Sequence, residues 1–173
     1  PKNIILFIGD GMGPAQVTAG MTLSDNTYVL KKFKYAGYCT TFSSNRYVTD
    51  SAAAGTAIAC GVKTKNGMLG MTPDSIPVPS IMEIAKKNGL ATGLVSTSAV
   101  THATPASFIA KNSGRGNYED IALDFMSGKI DVFIGGGLDH FNKRKDGRDL
   151  TADLTRMGYD VVYNLKDLKL SGS

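Results

Sequence analysis

The segment Thr49-Asp50-Ser51-Ala52-Ala53-Ala54-Gly55-Thr56-Ala57 is the richest in chemistry. A serine or aspartate ahead of an alanine-rich helix is first of all an N-cap. The side chains behind it are so small, however, that a ligand can approach the helix N-terminus closely. The amides and the helix dipole there favour an anion. A Ser51 hydroxyl at that point can attack phosphorus once its pKa is lowered. No histidine lies nearby in sequence to act as its base, which points to activation by a metal.

Three further sites carry suitable groups. Asp10 stands between Gly9 and Gly11 at the end of the apolar run Ile4-Ile5-Leu6-Phe7-Ile8. Ligands of open α/β sheets bind beyond the carboxyl ends of strands, so a carboxylate is well placed there; the plainer reading is a turn aspartate. Thr101-His102-Ala103-Thr104-Pro105 alternates an imidazole and a hydroxyl. If extended, this segment presents both the same way, and threonine suits a hard ion such as magnesium; otherwise the histidine is polar surface. Arg115 lies between Gly114 and Gly116 in a segment read as mobile and exposed. Its planar fork can grip two phosphate oxygens, or it is an ordinary loop arginine. The second histidine, His140, has no partner at informative spacing and reads as surface or as support for another group.

The elements that must position these groups follow an α/β alternation with a largely parallel sheet. Strands are expected at about 3–8, 36–42, 90–96, 131–134 and 160–163. Helices are expected at about 14–22, 51–59, 81–87, 105–111, 117–127 and 149–157. Pro14 suits a first helical turn, Cys60-Gly61 a helix stop, and 61–77 a Gly/Pro-rich loop.

Composition narrows the field. At 173 residues and 42% hydrophobic content, the chain can build one compact domain. No apolar run approaches the ~20 residues of a membrane helix. The net charge of +4 weakly suits an anionic small substrate, and no nucleic-acid module is recognisable. Lys31-Lys32-Phe33-Lys34 and Lys143-Arg144-Lys145 read as solvated surface. Cys39 and Cys60 are too few for a disulfide framework; they either pair or both stay free, with buried free thiols the default reading. No signal peptide precedes the first strand-like run, as expected of a mature or trimmed start.

Taken in order, these segments resemble the alkaline phosphatase family. Ile8-Gly9-Asp10-Gly11-Met12-Gly13 is similar to its opening metal-binding segment, and Val48 to Ala57, continued by Cys60-Gly61-Val62-Lys63-Thr64, to its nucleophile segment. His102-Ala103-Thr104-Pro105-Ala106 resembles the magnesium-site loop in its histidine form. Arg115 follows His102 by thirteen residues, where the family places its phosphate-binding arginine.

The resemblance, over about residues 2–140, implies a three-layer α/β sandwich with a largely parallel central sheet flanked by helices, incomplete at its C-terminal side. It implies hydrolysis of phosphomonoesters through a phosphoserine on Ser51, with two zinc ions and a magnesium per complete site. Asp10, Ser51, His102 and Thr104 would serve the metals, Arg115 would clamp phosphate and Asp50 would orient the arginine. A periplasmic or secreted homodimer is also implied.

Family members need further histidines and aspartates beyond the matched region. This chain has two histidines in all and no His/Asp cluster after Asp131. Residues 1–173 are therefore expected to be the N-terminal portion of a longer catalytic domain, inactive or slow alone. Related phosphodiesterases, phosphoglycerate mutases and sulfatases fit less well: the Cys/Ser-x-Pro-x-Arg signature of sulfatases is missing at Ser51. A non-catalytic phosphate-binding module is the alternative of another class.

Overall fold

The computed structural model describes residues 3–24, 29–164 and 166–168. The chain divides into two compact units, Pro1–Thr41 and Phe42–Ser173. In the first, helix α1 (Pro14–Leu23) begins with proline at its first turn. Gln16 reaches back to accept from the Gly13 amide at 3.0 Å. A 3₁₀ turn covers Val29–Lys32.

The strands expected at 3–8 and 36–42 are not formed among the described residues. A strand is stable only when neighbours take up its amides and carbonyls, and the described residues of this unit supply no such neighbour. The apolar run therefore stands exposed, Ile5 at 79% and Phe7 at 88%.

The second unit is built around a parallel pair of strands, β1 (Gly93–Ala99) and β2 (Val132–Gly136), flanked by helices. Gly93 pairs with Val132 and Val95 with Ile134, and the register shifts before Ala99 meets Gly136. Parallel strands require a long crossover; here it runs through α4 (Ala103–Ala106) and α5 (Tyr118–Asp124). The expected α/β class holds, although the strand expected at 160–163 is irregular. Tyr159 and Val161 pack against the core instead, so that segment is held by side chains and not by a ladder.

Helices α2 (Ser51–Cys60) and α3 (Ile81–Lys87) precede the strand pair, and α6 (Asp139–Asn142) and α7 (Leu150–Arg156) follow it. Their ends follow local rules. Gly61 closes α2 in the left-handed region at φ 72°. Ser80 and Glu83 form a reciprocal capping box on α3. Asp149 caps α7.

The core joins Ile121, Phe125, Ile130, Leu150 and Leu154 to a ring cluster in which Phe125 lies 5.0 Å from Phe133 and 5.8 Å from Phe141. Buried alanines, among them Ala52, Ala59, Ala103 and Ala106, extend it towards α2 and α4. Arg144, expected on a solvated face, is buried. It donates to the carbonyls of Glu119 at 2.5 Å and His140 at 3.3 Å and pairs with the exposed Asp146 at 2.5 Å, so its charge is met by a carboxylate at the surface.

Candidate active site

Helix α2 sets the site. Its cap is Asp50, with extended φ/ψ of −99° and 173°, and Ser51 is the first helical residue, half-buried. Both expectations for this segment therefore hold together: the aspartate caps, and the serine stands at the positive end of the helix dipole. Asp50 uses both carboxylate oxygens. Oδ1 accepts from the Ala53 amide at 2.9 Å. Oδ2 accepts from the Gly67 amide at 3.0 Å and from Arg115 Nη1 at 3.1 Å.

The Asp50–Arg115 contact spans 65 residues of sequence and needs the two loops behind it to stay together. Leu69 and Asn112 exchange backbone hydrogen bonds of 2.8 and 3.0 Å. The Arg115 amide donates to the Gly67 carbonyl at 2.8 Å. Asn112 Oδ1 accepts from the Gly114 amide at 2.9 Å and from Asn117 Nδ2 at 2.8 Å.

The loop expected to be mobile is thus pinned, and Arg115 is half-buried. Its Nη1 meets Asp50 Oδ2, and a guanidinium carries five N–H donors in a fixed fork.

Asn66 is a positioning residue that sequence reasoning missed. Its Oδ1 accepts from the Asp50 amide at 3.1 Å, its Nδ2 donates to the Val48 carbonyl at 3.0 Å, and its own amide donates to Asn45 Oδ1 at 2.9 Å. Lys65-Asn66-Gly67 gives the signal of a turn, but its contact with residue 50 lies sixteen positions away and leaves no local trace.

Thr104 lies on α4, which packs directly against α2. The glycine in the alanine run explains how. A Cβ on Gly55 would overlap Ser107 Oγ, lie 3.1 Å from Ser107 Cβ and sit 3.6 Å from Thr104 Cα. Ser107 has no room to withdraw, since its hydroxyl donates to the carbonyls of Ala103 at 2.7 Å and Thr104 at 3.0 Å.

His102 caps α4 through its backbone, and its exposed ring stacks on Tyr118 at 5.7 Å between centroids, nearly parallel at 4°. His140 stacks on Tyr118 as well, at 4.8 Å and 18°, and its Nδ1 meets Thr101 Oγ1 at 2.7 Å. Of the two readings of His140, surface or support for another group, these two contacts favour the second. Asp10 belongs to the first unit, in the turn where the Met12 amide donates to the Gly9 carbonyl at 3.1 Å.

An anion-favouring helix start with a serine, an arginine oriented by the cap, and a hydroxyl-bearing helix packed behind it suits chemistry on phosphate. Comparison with known proteins agrees. The alkaline phosphatase family model matches residues 1–173. The chain belongs to the alkaline phosphatase family.

Alkaline phosphatase 3 of Bacillus subtilis is 41% identical over 181 residues, covering 96% of this chain and 39% of the relative. Alkaline phosphatase of Escherichia coli is 33% identical, over 96% of this chain and 43% of its own length. Among solved structures, the alkaline phosphatase of the Antarctic bacterium TAB5 superposes with a TM-score of 0.92 at 44% identity, over 95% of this chain and 48% of the other. A histidine variant of that enzyme, solved with magnesium in the site called M3, superposes at 0.91 with 42% identity, over 97% and 50% of the two chains. The chain spans about two-fifths of the length of the curated relatives it matches.

The donors bear on the family's metals. Imidazole and carboxylate are acceptable in kind for zinc, and carboxylate and hydroxyl oxygens for magnesium. Among the described residues no group of three or more His, Cys, Asp or Glu side chains gathers to hold a metal, whereas zinc sites take at least three protein ligands. No helix among the described residues is long and apolar enough to cross a membrane.

Proposed function

We propose that residues 1–173 are the nucleophile-bearing portion of a longer catalytic domain that hydrolyses phosphomonoesters through a phosphoserine on Ser51. Ser51 Oγ attacks phosphorus in line, the ester oxygen leaves, and water then releases inorganic phosphate and restores the hydroxyl. Arg115 holds two non-bridging oxygens while Asp50 fixes the guanidinium. Phosphoryl transfer asks mainly for such positioning and charge stabilisation. The observation that carries this reading is the Asp50–Arg115 contact of 3.1 Å beside Ser51 at the start of α2.

Zinc and magnesium are the cofactors assigned to the complete protein, with Ser51, His102 and Thr104, and Asp10 from the sequence match, as this chain's share of the ligands. Bound metals lower the pKa of a hydroxyl and offset phosphate charge. The TAB5 variant with bound magnesium supports that ion. A periplasmic or secreted homodimer, acting on small phosphomonoesters, is proposed from the family alone.

The test is hydrolysis of p-nitrophenyl phosphate at alkaline pH with zinc and magnesium. It compares the 173-residue chain with a chimaera in which it replaces the matching part of Bacillus subtilis alkaline phosphatase 3. The chimaera should turn over, its Ser51→Ala variant should not, and the chain alone should be slow or inactive. Turnover that survives Ser51→Ala contradicts the assignment.

A further inference from the structure

Tyr118 belongs to none of the segments that resemble the family's site, yet its ring stacks on both histidines of the chain. Short links tie the three rings together. Thr101, 0% exposed, holds His140 Nδ1 at 2.7 Å and is covalently joined to His102, whose ring also stacks on Tyr118. Arg144 bonds the carbonyls of Glu119 and His140, fixing the backbone next to Tyr118 to that of its stacking partner. Tyr118 also opens α5 three residues after Arg115, and its amide donates to the Gly116 carbonyl at 2.9 Å.

We propose that Tyr118 is a positioning residue: clamped by His140, it fixes the imidazole plane of His102 and anchors the end of the segment that carries Arg115. The physical case rests on geometry. An exposed histidine ordinarily samples several rotamers, whereas stacking on Tyr118, parallel within 4°, favours one orientation of the His102 ring. Stacked pairs are favourable beyond their area alone, and His140 is buried enough, and bonded firmly enough through Thr101, to serve as the fixed end. The three rings thus connect the loop after β1, the start of α5 and helix α6, and the two loops that bear His102 and Arg115 share one anchor. That Arg115 receives phosphate rests on the function proposed above; the anchoring of His102 does not.

The experiment uses the 173-residue chain as wild type, Tyr118→Phe and Tyr118→Leu, with thermal unfolding to confirm that each is folded. At one fixed alkaline pH, the imidazole C–H signals of both histidines are recorded by NMR, and inorganic phosphate is titrated in. In the wild type and in Tyr118→Phe, the His102 signals should carry the upfield ring-current displacement of a stacked imidazole. Tyr118→Leu should abolish it and raise the phosphate dissociation constant by roughly three- to tenfold, the range expected for losing one aromatic contact.

His102 signals unmoved by Tyr118→Leu, or a phosphate affinity equal to that of Tyr118→Phe, would overturn the proposal. A wild-type chain that binds no phosphate would instead contradict the phosphate site, and the imidazole signals alone would then decide the role of Tyr118.

Discussion

Arg115 and its neighbours show how much of the site depends on partners distant in sequence. Asp50 caps α2, holds Gly67 and orients Arg115 with one carboxylate. Asp50→Ala should therefore lose a helix cap, costing about 1–2 kcal/mol by chemical denaturation. In the chimaera it should also weaken phosphate inhibition, whereas Asp50→Asn should keep most of the cap and lose the charge contact. Asn66→Ala should act indirectly. It unties the Asp50 amide and the Val48 carbonyl, and kcat/KM for p-nitrophenyl phosphate should fall by roughly tenfold, as for other groups that orient a ligand-holding residue. An unchanged kcat/KM would remove Asn66 from the account. The sequence shows Ser51, Asp50 and Arg115 through their motif and spacing. Asn66 and Tyr118 do not appear there, and His140 appears without a partner in sequence, because their roles arise from contacts between loops.

The helices carry two further expectations. Gly55 lets α2 lie against α4, with Ser107 and Thr104 at the contact. Gly55→Ala improves helix propensity but forces the added methyl into a buried, doubly bonded serine. Overpacking wins, and stability should fall by about 1–3 kcal/mol in denaturant unfolding. A stabilised variant would show that α2 and α4 can separate.

Glu83, in the capping box of α3, also pairs with Lys111 at 2.7 Å and Lys129 at 2.8 Å. Burial alone would raise its pKa, but the hydrogen bonds from Lys111, Lys129 and the Ser80 amide outweigh burial and hold the carboxyl at about 2, against an ordinary 4.5. A depressed acid stabilises the fold fully above its unfolded pKa. That contribution declines as pH falls from 4.5 towards 2. Glu83→Gln should lower stability at neutral pH and flatten that acid limb in a pH series of thermal unfolding. An acid limb as steep as that of the wild type would assign it to other carboxylates.

Local signals gave several helices: the ranges expected at 51–59, 81–87 and 149–157 match α2, α3 and α7 within a residue or two, whereas the helix expected at 105–111 is the short α4, Ala103–Ala106. Strands were less legible. Periodicity and β-branched residues show that 3–8 could be extended, but only a partner can make it a strand, and pairing is not a local property.

The same distinction applies to the molecule as a whole. The sequence carries the α/β class and the order of the site segments, and the family match over residues 1–173 with a TM-score of 0.92 agrees with both. Two features were not legible: the burial of Arg144, which the run Lys143-Arg144-Lys145 disguises as a charged face, and the state of the thiols. Both cysteines are free, as read, but Cys39 is exposed and only Cys60 is half-buried. Burial raises the Cys60 pKa, with Lys111 opposing it, so Cys60 should react with iodoacetamide more slowly than Cys39 when each is followed by peptide mass spectrometry.

The central claim is that Ser51 becomes phosphorylated, and acid-quenched peptide mass spectrometry tests it most directly. The chimaera is mixed with p-nitrophenyl phosphate, stopped in acid within a turnover and digested. The peptide spanning Ser51 should gain one phosphate in the parent protein and none in Ser51→Ala. Rapid turnover with that peptide unmodified, or phosphate on another residue, would contradict the account.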